Sequence, residues 1–372
     1  MSKACSPKGH RIGAYKTFIN KFKLMFNPDL YLEPYHRVDL SKYRILVTGG
    51  AGFIGSNLLE YMLKYGVGKV RVLDNLSNGY WENIQEFTAL PNFEFVEGDI
   101  RDLETCKAAV AGMDLVAHLA ALGSVPRSVA DPITTNEVNI GGFLNMLVAC
   151  RDEAGCQRMV YAASSSTYGD STELPKVEGR EGKPLSPYAV TKAVNEMYAD
   201  VFSKVYGMHT IGLRYFNVFG PKQNPNNPYA AVIPLFCKHF LEGTRPTIYG
   251  DGETSRDFTF VENAVQANVL ALFYGLDKTD PNQLKSHEVF NVACGDQTTL
   301  NQMVQILQQI TGKSLEPIYG PERAGDVRHS KASISKIKEL LNYQSRQRFE
   351  AGLELALSYY EKTQDSKRKL NS

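Results

Sequence analysis

A doubly wound parallel α/β sheet with a smaller C-terminal substrate-binding lobe is the fold this sequence predicts, on three observations. Short apolar runs alternate with helix-length amphipathic stretches from residue 43 to about residue 220, which is the pattern of consecutive βαβ units. A glycine-rich run, Thr48-Gly49-Gly50-Ala51-Gly52-Phe53-Ile54-Gly55, stands between the first apolar run and the first helical stretch. An acid, Asp74, closes the second run, about 20 residues after the last glycine.

Taken in order, 43–47 is a short apolar run of the kind that forms a buried parallel strand. Gly49, Gly52 and Gly55 allow a tight turn and a close approach of backbone to a pyrophosphate at a helix N-terminus. The helical stretch 56–63 follows, then strand 69–73. A third strand is expected at 93–97, a short helix around 106–111 and a fourth strand at 114–119. A helix is expected over 139–150, a fifth strand at 159–163, a long helix at 188–206 and a sixth strand at 210–214. The long helix carries Val190, Val194, Met197, Val201, Phe202 and Val205. That is more than one apolar face, as burial between the body and a second subunit's helices would require. A homodimer is expected.

Residues 220–228, rich in Pro, Asn and Gly, break the alternation. Beyond them, short apolar stretches at 246–249 and 289–292 mix with helices near 262–274 and 300–311. The chain therefore divides into an N-terminal extension (1–42), a dinucleotide-binding domain (43–220), a mainly substrate-binding lobe with crossover segments (221–362) and a polar tail (363–372). Within the extension, Tyr15, Phe18, Ile19, Phe22, Leu24 and Met25 form an apolar helical stripe among basic residues. A helix packed on the body or on a partner subunit is the preferred reading, ahead of a membrane-surface helix.

Composition narrows the class. A formal net charge of +1 over 372 residues argues against an electrostatic nucleic-acid binder. The six cysteines are scattered, without a CxxC pair, so neither a disulfide framework nor a zinc site is expected. No secretory h-region and no apolar stretch of membrane-spanning length is seen. A cytoplasmic protein is the simplest expectation.

The chemistry points to Tyr188 and Lys192, four positions apart on the long helix and so on one face of it. A free phenol is a poor base at neutral pH. A neighbouring ammonium favours the phenolate and is expected to lower its pKa, making Tyr188 a usable proton acceptor. Asp74 at a strand end suits the hydroxyls of an adenosine ribose and would repel a 2′-phosphate, so NAD is expected over NADP.

The glycine run, Ser164-Ser165-Ser166-Thr167-Tyr168-Gly169, Tyr188-x-x-x-Lys192 and Arg214-Tyr215-Phe216-Asn217-Val218-Phe219-Gly220-Pro221 together resemble the extended short-chain dehydrogenase/reductases, the Rossmann-type nucleotide-sugar epimerases and dehydratases. The runs 120–128, 251–258 and 325–330 are similar to the bacterial UDP-N-acetylglucosamine and UDP-N-acetylglucosaminuronic acid 4-epimerases. The resemblance covers about residues 43 to 362. It implies NAD as the cofactor, held along Gly49, Gly52, Phe53, Ile54, Gly55 and Asp74, with Asp99 and Ile100 at the adenine. Leu119, Ala120, Ala121, Asn139 and Tyr215 would lie along the same ligand.

The resemblance also implies a catalytic Ser164 with Tyr188 and Lys192. The sugar would meet Gly123, Ser124, Ser165 and Ser166. The diphosphate would meet Asn217, Arg256 and Arg323, and the uracil the Thr247–Tyr249 strand. Asp326 and Ser330 would follow, Ser330 standing where related epimerases gate the sugar's 2-substituent. The implied activity is 4-epimerisation of a UDP-N-acetylhexosamine through a 4-keto intermediate, for surface polysaccharide precursors. Dehydratases of this kind carry Asp-Glu after the catalytic hydroxyl; here Ser165-Ser166 stands there. UDP-glucose 4-epimerase, UDP-glucuronate decarboxylase and a non-catalytic NAD-binding protein are the alternatives.

Overall fold

The structure is a computed structural model, and it describes residues 25–226, 231–276, 286–322 and 328–370. Seven parallel strands form the main sheet: β1 Arg44–Thr48, β2 Lys69–Asp74, β3 Phe93–Glu97, β4 Leu115–His118, β5 Arg158–Ser164, β6 Thr210–Tyr215 and β7 His287–Val292. Their spatial order is β7-β6-β5-β4-β1-β2-β3. Chain direction across the sheet reverses between β1 and β4, and such a switch point opens a crevice at the strand C-termini. Thr48 is in register with His118, and Ser164 with Tyr215, so the residues that end these strands line up along that crevice.

Five helices dress the sheet: α1 Phe53–Lys64, α2 Leu103–Val110, α3 Phe143–Asp152, α4 Pro187–Tyr206 and α5 Val261–Phe273. One apolar cluster, with Leu58, Tyr61, Val265 and Leu272, lies under α1 and α5. A second, with Cys106, Val110, Phe143, Leu147 and Phe202, lies under α2, α3 and α4. The expected helix at 139–150 begins as a π-helical turn, Glu137–Gly142, before it becomes α3.

The C-terminal third is more interleaved than its sequence pattern indicates. The apolar run at 289–292 belongs to β7, which pairs with β6 at the edge of the main sheet. Helix α5 is buried along nearly its whole length, including its polar Glu262, Asn263, Gln266 and Asn268. The smaller lobe keeps three two-stranded pairs: 218–219 with 259–260, 255–256 with 298–299, and 247–249 with 318–320. Each apolar run alone is compatible with either location, because short runs carry no information about their sheet.

The described part of the extension, 25–42, is no helix beyond one short turn, Leu40–Lys42. It is a strap over α1 and α5 that buries Phe26, Leu30, Tyr31 and Tyr35. The stripe residues Tyr15, Phe18, Ile19, Phe22 and Leu24 lie outside the described residues, while Met25 packs on the main core.

Candidate functional site

At the crevice, Gly49 turns with φ 68°, and a methyl there would lie 2.7 Å from the Ala120 amide nitrogen. A methyl at Gly55 would lie 2.2 Å from the Gly49 carbonyl oxygen. Both glycines are thus demanded by contact, one between loop and β4, the other between loop and α1. Gly52 caps α1 without any side-chain bond, which leaves its first backbone N–H groups facing the cleft, where anions are favoured. Phe53 and Ile54 are the first residues of that helix.

Asp74 accepts from the Ala51 N–H at 2.9 Å and the Leu76 N–H at 2.8 Å. Burial raises its carboxyl, and the two backbone bonds oppose that. Asp99 is held down to about 2, first by the Arg101 guanidinium that pairs with it, and Asn75 donates to it at 3.0 Å. Gly49, Gly52, Asp74, Asp99, Ile100, Leu119, Ala120 and Ala121 all line one groove, joined by Asn75, Ser77 and Gly79. A methyl on Gly79 would sit 2.8 Å from Ala51 Cβ and 3.0 Å from Asp74. A narrow groove walled by backbone, with an anion-binding helix end and an acid at the far strand, fits a dinucleotide without a 2′-phosphate.

Two of the residues expected along the groove carry internal side-chain bonds. The Asn139 amide accepts from the Leu122 N–H at 2.8 Å, and donates to the Leu122 carbonyl at 3.1 Å and Thr191 Oγ1 at 3.2 Å. It braces the loop behind the groove from a π-helical turn, a local distortion often found at functional sites. The Tyr215 hydroxyl accepts from Asn268 at 2.7 Å on α5, so only its strand-end backbone borders the crevice. The bond Thr48 Oγ1···His118 Nδ1, at 2.8 Å, was not foreseen. His118 is fully buried, and its pKa falls to about 3 through burial and the nearby Lys192, so it is a neutral brace.

Beside the groove, α4 starts at Ser186, whose hydroxyl accepts from the Ala189 N–H at 3.1 Å, with Pro187 in the first turn. This start is an N-cap followed by proline, and it sets Tyr188 in the first turn of α4. The Tyr188 N–H donates to Ser128 Oγ at 3.1 Å. Ser164, at the end of β5, lies close enough to the Tyr188 side chain to favour its phenolate, and it accepts from Ser166 Oγ at 2.9 Å. Lys192 Nζ lies 5.9 Å from the Tyr188 ring centre and donates to the Ala162 carbonyl at 2.8 Å.

Electrostatics here differ from expectation. Burial raises the Tyr188 phenol, and the neighbouring Ser164 opposes the rise. Burial, the larger effect, outweighs the lowering expected from the sequence, and Lys192 is itself desolvated beside the ring. Its own pKa falls to about 8, with Glu196 working the other way.

A wider cleft adjoins, lined by Phe53, Gly123 and Ser124 together with Tyr80, Arg127, Lys222, Gln223 and Asn224. Ser124 holds φ 94°, a conformation non-glycine residues keep only when the surroundings fix it. The lower lobe brings together Asn217, Arg256 and Ser330. Asn217 donates to the Asp257 carbonyl at 3.1 Å, Arg256 to the Ser255 carbonyl at 2.9 Å, and the Ser330 N–H to the same Ser255 oxygen at 3.1 Å. Thr247 and Tyr249 sit exposed on their short strand. Arg323 and Asp326 lie outside the described residues. Of the Tyr80–Lys222–Asn224 wall, Lys222 and Asn224 carried no sequence signal beyond their place in a Pro- and Asn-rich turn, and Tyr80 carried none.

Fold and cleft define a nicotinamide-dinucleotide enzyme of the α/β class. The chain belongs to the NAD dependent epimerase/dehydratase family, which it matches over residues 45–293. It is 34% identical over 319 residues to the UDP-glucose 4-epimerase of Mycolicibacterium smegmatis, covering 85% of this chain and 98% of that one. The UDP-N-acetylglucosamine 4-epimerase of Methanobrevibacter ruminantium, solved with UDP-N-acetylmuramic acid, superposes with a TM-score of 0.79 at 37% identity, over 86% of this chain and 99% of that one. The UDP-glucose 4-epimerase of Thermus thermophilus, solved with NAD, gives 0.74 at 34% identity, over 85% and 98%.

Proposed function

We propose that this protein interconverts the C4 epimers of a UDP-N-acetylhexosamine, UDP-N-acetylglucosamine to UDP-N-acetylgalactosamine or their uronic acid forms, with NAD. The observation that carries the reading is the convergence of Ser164 at the end of β5 with Tyr188 and the buried Lys192 of α4, whose ammonium lies 5.9 Å from the Tyr188 ring centre. NAD, when bound, supplies a reversible two-electron oxidant, and the groove residues Gly49, Gly52, Asp74 and Asp99 would hold it.

Tyr188 accepts the proton of the C4 hydroxyl as the sugar is oxidised, and returns it when the opposite face is reduced. Ser164 bonds the reacting oxygen. Lys192, buried beside the Tyr188 ring, would hold the nicotinamide ribose. Ser165 and Ser166 offer no carboxylate to remove water from the sugar, which speaks against a dehydratase. Asn217 and Arg256, with Arg323 as the resemblance implies, would meet the diphosphate, for which guanidinium groups are suited. Thr247 and Tyr249 would border the uracil. The small side chain of Ser330 would leave room for an acetamido group, and this supports the N-acetyl sugars over glucose.

The proposal includes a homodimer built on α4 and a cytoplasmic location, where sugar nucleotides and NAD are both available. It is tested by incubating the purified protein with UDP-N-acetylglucosamine, its uronic acid and UDP-glucose, and resolving the products. Formation of the galacto epimer from an N-acetyl sugar is expected, and Tyr188→Phe is expected to slow it by about 10²–10⁴-fold while copurified NAD is kept. Turnover of UDP-glucose alone would overturn the sugar assignment, and near-normal turnover by Tyr188→Phe would overturn the role of that residue.

A further inference from the structure

Residues 25–35 precede the stretch shared with the family, which begins at residue 45, yet Leu30 and Tyr31 are fully buried. Two bonded routes lead from this strap, across α1, into the turn that walls the wider cleft. In the first, the Asn27 backbone N–H donates to Glu60 Oε1, and Glu60 Oε2 pairs with Lys222 Nζ at 2.9 Å. In the second, the Tyr31 hydroxyl donates to Asn57 Oδ1 at 3.0 Å, and Asn57 Nδ2 donates to the Pro221 carbonyl at 3.0 Å. Asn57 and Glu60 are three positions apart on α1 and so share a face. The routes end on adjacent residues.

Lys222 is held firmly. Its side chain is 9% exposed and that of Glu60 is 4% exposed, and its ammonium lies 5.2 Å from the Phe87 ring centre. Its φ of 69° is left-handed, which a lysine keeps only under constraint. The next two residues, Gln223 and Asn224, face the cleft with Phe53, Gly123 and Ser124, and Asn224 donates to the Tyr80 hydroxyl at 2.6 Å.

We propose that the 25–35 strap positions the Pro221–Asn224 turn for sugar-nucleotide binding, acting through Asn57 and Glu60 of α1. This rests on reading the wider cleft as the UDP-sugar site. Neither Tyr31 nor Glu60 reaches that cleft, so each is a positioning residue. Loss of either bond frees the turn before it disturbs the sheet, because the sheet's own packing does not pass through Lys222.

The experiment uses the full chain with its copurified NAD, UDP as the probe in calorimetry, and steady-state kinetics on the sugar nucleotide. Tyr31→Phe keeps the ring and removes only the hydroxyl. It is expected to raise the UDP Kd and the substrate KM roughly fivefold, the size of one net hydrogen bond, with kcat and NAD content unchanged. Glu60→Gln leaves the buried Lys222 ammonium uncompensated and is expected to do more. A lowered Tm with wild-type UDP affinity in Tyr31→Phe would overturn the proposal, whether or not Glu60→Gln folds. Failure of the wild-type protein to bind UDP would instead overturn the site reading beneath it.

Discussion

Lys192 shows how much a single side chain costs in this site. It is 4% exposed, and desolvation lowers its pKa to about 8 despite the pull of Glu196. The folded pKa lies below the unfolded value, so between pH 8 and about 10.5 the unfolded chain binds more protons. Stability contributed by this group therefore rises with pH through that window, and below it the full cost of the buried cation is present. Lys192→Met should consequently stabilise the cofactor-free protein at pH 7, by about 1–3 kcal/mol, while losing activity. Urea unfolding at pH 7 and at pH 9.5 checks both parts: the gap between variant and wild type should narrow at the higher pH. A variant less stable than wild type at pH 7 would show that the bond to Ala162 outweighs the desolvation. The Tyr-Lys spacing was readable in the sequence, but the direction of the Tyr188 shift was not. Spacing fixes which residues share a helix face, whereas burial depends on β4, β5 and the loops around them.

At the scale of elements, the β1-α1-β2 unit carries the choice of cofactor. Asp74 has both oxygens engaged by backbone N–H groups at the end of β2, so it is fixed in place and lines the groove. A second phosphate there would meet a buried carboxylate. Cofactor released from the purified protein should be NAD, and Asp74→Ala should carry less of it; chromatography of the released nucleotide tells NAD from NADP. Predominant NADP would remove the argument from Asp74.

This unit was legible because glycines, helical period and a strand-end acid all depend on local sequence. The strand β7 was not, since a run such as Val289-Phe290-Asn291-Val292 suits either sheet until its neighbour is known. The strap at 25–35 was not legible either, because Tyr31, Tyr35 and Glu262 find one another across more than two hundred residues of chain. Asn139 and Tyr215 were expected along this groove, and in the fold their side chains bond to the protein itself. A motif gives position along the chain and leaves open which way a polar group turns.

For the whole molecule, α4 has two faces. Ala189, Lys192, Asn195, Ala199, Phe202 and Ser203 are buried against the sheet and α3. On the outer side Val190, Met197, Val201 and Val205 are 46%, 65%, 50% and 64% exposed. Their spacing follows one stripe of a helix, and Ile133 and Val129, on the short helices before α3, add exposed apolar surface. Leu144 and Val148 of α3 are half-buried against the second core cluster, so they contribute less to such a surface than Met197 or Val201. A contiguous apolar stripe of this length is unusual on a monomer and common where helices pack across a two-fold axis. The protein should therefore sediment as a dimer at micromolar concentration. Met197→Glu combined with Val201→Glu should convert it to a monomer, because two facing pairs of carboxylates would be desolvated at the centre of the contact. NAD content should persist in that monomer, since neither residue touches the groove. A wild-type protein that sediments as a monomer, or a double variant that remains dimeric, would place the function of this stripe elsewhere.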